Sequence, residues 1–97
     1  MENMSEVLDK ALNGSKKVRV TFKRDAINGV RGLWQLRNEH MITISGFAEA
    51  NLSAAVTNQA WSSDIDRSVL VTFTPTFDKY GFMETMGSVL EKIEPSS

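Results

Sequence analysis

Six consecutive residues, Val18-Arg19-Val20-Thr21-Phe22-Lys23, alternate apolar and polar without a break. Successive side chains of a strand point to opposite faces, so this run demands a sheet with one buried and one wet face. The wet face is cationic at Arg19 and Lys23. A chain built around such a strand must supply partner strands for its edges and a second layer for Val18, Val20 and Phe22.

The rest of the sequence supplies candidates. Met4, Val7, Leu8, Ala11 and Leu12 form one apolar stripe at helical spacing, predicting a helix from about Ser5 to Asn13 with Ser5 as N-cap and Gly14 as a left-handed stop. Asn28-Gly29, set between Ile27 and Val30, reads as a type I′ hairpin turn. It pairs the first strand with a second from Val30 to about Leu36, in which Gly32 marks a bulge or bend. Met41 to Ser45 reads as a short strand. Ala48, Leu52, Ala55, Val56 and Gln59 have helical spacing, although the Asn, Ser and Thr residues between them leave an ordered loop as the alternative. Trp61 to Asp64 reads as a turn, and Val69 to Thr74 as a second strong strand. From Asp78 to Glu94, Phe82, Met83, Met86, Val89, Leu90 and Ile93 recur at helical spacing, leaving Pro95 to Ser97 as a frayed end.

With 97 residues there is room for one core, so residues 1–97 form a single domain. Hydrophobic residues make up 41% and charged residues 24%, which places the chain among folded globular domains and away from disordered ones. No cysteine is present, which removes disulfides, thiolate nucleophiles and cysteine zinc sites. The opening residues have neither the basic start nor the apolar stretch of a secretory signal, and no apolar run is long enough to span a membrane. A cytoplasmic protein that does not use a membrane is the expectation.

Chemistry-bearing residues are sparse. His40 is the one histidine and sits in a polar Arg37-Asn38-Glu39 stretch, where an exposed turn explains it better than a proton relay. No Gly-x-Ser-x-Gly elbow occurs. Asp64-x-Asp66 is followed at once by Arg67 and has no closing acid, so a solvated turn accounts for it better than a calcium loop. Gly29-x-x-Gly32 lacks the Lys and Ser of a phosphate loop. No enzymatic activity, metal or cofactor is expected.

Charge is distributed unevenly. The formal net charge is -1, yet residues 10–40 carry eight bases against two acids. Lys16, Lys17, Arg19, Lys23, Arg24 and Arg31 fall on or beside the expected hairpin, with Trp34 and Arg37 on its second strand. A cationic surface with an aromatic nearby suits nucleic acid, with phosphates held by charge and a base stacked on the ring. Against this, Trp34 lies between Leu33 and Leu36 as a core residue would, and the total charge is unlike that of a dedicated nucleic-acid binder. Met83 and Met86, on the apolar side of the last helix, offer an adaptable surface to a protein partner.

The run Leu8 to Leu12, the strand Val18-Arg-Val-Thr-Phe-Lys23, the Asn28-Gly29 turn with Arg31 after it, the later Val69-Leu-Val-Thr-Phe73, and Tyr80-Gly-Phe82 with Ser88-Val89-Leu90 together resemble small phage-encoded proteins with an SH3-like or Sm-like barrel. That resemblance implies a binding module of phage origin. The fold expected is α+β: a small curved antiparallel sheet, with an SH3-like or Sm-like barrel as one form of it, and a helix towards each terminus. The function expected is a small regulator or inhibitor acting by protein–protein contact, with nucleic-acid binding through residues 16–37 as the alternative. A homodimer through a sheet edge or the methionine face is compatible with so small a chain.

Overall fold

The architecture is that of a computed structural model, which describes residues 3–45, 48–61 and 67–96. Among these residues four helices and four strands follow one another as α1 Met4–Leu12, β1 Lys17–Phe22, α2 Gly29–Asn38, β2 Ile42–Ile44, α3 Ala48–Asn58, β3 Ser68–Phe73, α4 Lys79–Met86 and β4 Leu90–Ser96. The sheet is fully antiparallel in the order β2-β3-β1-β4, so it is open, with β2 and β4 at its edges. Helices α2 and α4 each join two strands that flank a third. This is the split βαβ unit used twice, the ferredoxin-like connection pattern. It is extended here by α1 in front and by α3 between β2 and β3.

The α+β expectation is met, and the strong alternation of β1 sets its geometry. Val18 lies opposite Val71, and Val20 lies between Val69 and Ile93. Phe22, Phe73 and Leu90 complete this face, and every one of these side chains is buried. Slipping β1 by one residue would expose Val18, Val20 and Phe22 and bury Arg19. At about 1.5–3 kcal/mol for each large apolar side chain, that is comparable with a small domain's whole stability, so the register is well determined. Leu8 from α1, Leu33 and Leu36 from α2, Leu52 from α3, and Phe82 and Met86 from α4 close the same cluster.

Several expectations need correction. The first helix is capped by Asn3, whose side chain accepts from the Glu6 N–H at 2.9 Å, and Ser5 lies inside the helix. Asn caps as well as Ser, and the earlier start makes Met4, the first residue of the apolar stripe, the first residue of the helix. The left-handed residue after this helix is Lys16, with φ 61°, while its N–H closes the turn onto the Ala11 carbonyl at 2.8 Å.

No hairpin forms at Asn28-Gly29. Gly29 begins α2, with Val30, Leu33 and Leu36 buried at helical spacing. A β-carbon on Gly29 would lie 2.7 Å from Val89 Cβ, and one on Gly32 would lie 3.0 Å from Thr85 Cγ2 and 3.2 Å from Met86 Sδ. Both glycines therefore let α2 approach the end of α4 closely. Neither serves a hairpin turn or a bulge.

The C-terminal helix is shorter than its periodicity predicts. It is capped by Asp78, which accepts from the Tyr80 N–H at 3.1 Å, and it ends at Met86. The chain then turns at Gly87 and runs back as β4. Leu90 and Ile93 are three apart, a spacing that suits a helix. In β4 they reach the same face because the register shifts between Thr21 and Phe22, which leaves Glu91 as an extra residue. Pro95 and Ser96, expected to fray, instead pair with Val18 and Lys17.

The segment left between helix and loop is helical over Ala48–Asn58, with Leu52 and Ala55 buried. Trp61 stacks on Phe22 with ring centroids 5.6 Å apart. The rest of the expected turn, Ser62 to Asp64, and the Asp64-x-Asp66 pair lie outside the described residues. No helix among the described residues is long and apolar enough to cross a membrane.

Candidate functional site

Helix α1 packs on β4 and β1 and touches α4, while α2 packs on α4 and β2. The helices thus serve the face that carries Val18, Val20 and Phe22. Strand alternation sends Lys17, Arg19 and Thr21 to the other face, and the register identifies their neighbours. Across the sheet, Thr43, Thr72, Lys17 and Ser96 form one row. Leu70, Arg19 and Glu94 form the next, followed by Ser68, Thr21 and Lys92. Lys17, Arg19, Thr43, Lys92 and Glu94 are exposed, while Ser68, Leu70 and Thr72 are half-buried.

Thr21, at one end of this face, is buried; the rest, a bare face, is polar and cationic among the described residues. Arg19 Nη1 donates to Ser68 Oγ at 3.4 Å, a long bond that costs little to exchange for another acceptor. Lys92 Nζ lies 3.5 Å from Glu94, the single acid in the three rows. Three bases therefore face one acid around Leu70. The half-buried rim of Leu70 and the methyls of Thr43 and Thr72 are the apolar part of the surface.

The eight residues assigned to a basic hairpin face do not share one surface. Lys17 and Arg19 lie on the bare face, with Lys16 in the turn just before β1, its carbonyl accepting from the Phe73 N–H at 2.8 Å. Lys23 and Arg24 follow the other end of β1, where the Lys23 N–H donates to the Val89 carbonyl at 3.0 Å. Arg31, Trp34 and Arg37 lie on α2, on the helical side of the sheet. Trp34 is half-buried against the core, and its indole Nε1 is buried without a hydrogen-bond partner among the described residues. It is not placed to stack a base on the bare face.

Met86 is fully buried beside Gly32 and fills the core, while Met83 is half-buried against it. His40 has φ 63° and is exposed in the turn before β2, where its carbonyl accepts from the Thr74 and Thr76 hydroxyls, the latter at 2.6 Å. Among the described residues no three His, Asp or Glu side chains come together.

Sequence reasoning missed Thr43, Leu70, Thr72 and Lys92 as companions of Arg19. The alternation of Val69-Leu-Val-Thr-Phe73 carries the signal for Leu70 and Thr72. Lys92 was hidden by the helical spacing of Leu90 and Ile93. No family model, curated protein or solved structure matches this chain.

Proposed function

We propose that this chain is a non-enzymatic binding module, a small regulator or inhibitor that acts by protein–protein contact through the bare face of its sheet. The observation that carries this reading is the one-sided layering: α1, α2 and α4 pack on the side of Val18, Val20 and Phe22, and on the opposite face, among the described residues, Arg19 is exposed and Leu70 half-buried at the centre. The resemblance of the strand motifs to those of small phage-encoded proteins extends the reading to a phage origin. The lack of cysteine favours the cytoplasm.

Nucleic acid is the weaker reading. Binding of single strands on an open sheet draws about 1–3 kcal/mol per base from stacking on aromatic rings, and the three rows around Arg19 contain no aromatic residue. A second copy of the chain would join more readily at β2, which carries no charge, than at β4. By the alternation of hydrogen-bonding direction, Pro95 faces the outer edge of β4 with no N–H to offer.

Affinity capture from the native host tests the proposal, comparing the wild type with Leu70→Lys after circular dichroism shows that both are folded. One protein retained in stoichiometric amount by the wild type and lost by the variant is the expected result. Retention of nucleic acid alone, or of a protein indifferent to Leu70, would overturn it.

A further inference from the structure

We infer that the occupant of the bare face is an acidic segment of a protein partner, held by Lys17, Arg19 and Lys92 around Leu70. This rests on the reading of the face as the binding surface, and it adds the chemistry of what is bound. Residues two apart on one face of a strand are about 6.8 Å apart, so Lys17 and Arg19 present neighbouring cations along the middle of the sheet. Lys17 has no ion-pair partner among the described residues, and Arg19 has only its long bond to Ser68. Glu94 is already engaged by Lys92. The excess of positive charge is therefore local, on a chain whose formal net charge is -1, and an anionic partner complements it.

The same charge argues against a second copy laid face to face, because Lys17, Arg19 and Lys92 would meet their own kind. An acidic segment supplies carboxylates for the cations and an apolar side chain for Leu70. A nucleic-acid strand supplies phosphates but finds no ring for its bases.

A fluorescent oligo-glutamate peptide and a mixed-sequence single-stranded DNA of similar length, titrated by anisotropy at low and physiological salt, test the inference. The peptide should bind, and more weakly as salt rises. Arg19→Glu should weaken it by about tenfold or more, and Glu94→Gln should tighten it by about two- to fivefold. Two controls make the same charge changes elsewhere: Arg31→Glu on α2 and Glu84→Gln on α4 should each shift affinity by less than about twofold.

Equal loss with Arg31→Glu, or no binding of the peptide, would overturn the inference. So would DNA binding at physiological salt that is tighter than the peptide's and lost with Arg19→Glu, which would identify a nucleic acid instead. The two proposals fail differently. A captured protein that depends on Leu70 but not on Arg19 refutes the acidic partner and leaves the binding face standing. Peptide binding with no captured protein refutes the regulatory role.

Discussion

Single residues show where local pattern and tertiary need diverge. Asn28-Gly29 satisfies a hairpin turn on paper, and nothing local distinguishes that use from a helix start. The discriminating fact is Val89, which the fold brings against Gly29 from sixty residues downstream. A methyl at Gly29 would meet Val89 Cβ and Cγ2, both at 2.7 Å and on a side chain with no flexible end to yield. Gly29→Ala should therefore cost about 1–3 kcal/mol from overpacking, outweighing the ~1 kcal/mol that alanine gains over glycine in a helix. Gly32→Ala meets the unbranched Met86 side chain at Sδ, 3.2 Å away, and Thr85 Cγ2 at 3.0 Å, and should come out closer to neutral. Urea unfolding of the two variants checks the ranking. If Gly32→Ala proves the more damaging, the close approach of α2 to α4 is misplaced. Arg19 is the opposite case: its outward direction follows from period 2 alone, whatever the rest of the chain does.

At the scale of elements, the turn from α4 into β4 depends on long-range partners. Buried Arg67, just ahead of β3, donates from Nη1 to the Phe22 carbonyl at 2.9 Å and lies 3.6 Å from Glu91. The guanidinium thereby links the end of β1 to the extra residue of β4 at the point where the register shifts. The carbonyl bond and the ion pair differ in worth. The bond to the Phe22 carbonyl is made by a buried charged donor, so Arg67→Ala should destabilise by about 1.5–3 kcal/mol. The Glu91 side chain is 53% exposed, and Glu91→Ala should cost less than about 1 kcal/mol. Chemical denaturation of both variants decides this, and equal losses would show that the ion pair matters more than the carbonyl. The helical periodicity of residues 78–94 could not reveal the turn, because Leu90 and Ile93 keep one face in either state once the register shifts.

For the whole molecule, each of the four helices and four strands among the described residues contributes buried side chains to one cluster. Trp34 on α2 and Trp61 after α3 both pack against it. Unfolding followed by tryptophan fluorescence and by far-ultraviolet circular dichroism should therefore give coincident transitions, the mark of one cooperative unit. Separated midpoints would mean that the α3 region unfolds independently of the sheet. What the sequence determined by itself was local: the face assignment of β1 and β3, the apolar stripe of α1, the strand at residues 42–44 and the lack of cysteine chemistry. Each follows from a side-chain period or a composition that needs no distant partner. The tertiary structure decided the rest. Gly29 starts a helix because Val89 arrives beside it, and β4 is a strand because β1 has a free edge to pair with it. Lys17, Arg19, Leu70 and Lys92 form one surface because three separate strands are hydrogen-bonded in register. Those outcomes depend on contacts between residues far apart in the chain, and local periodicity does not record them.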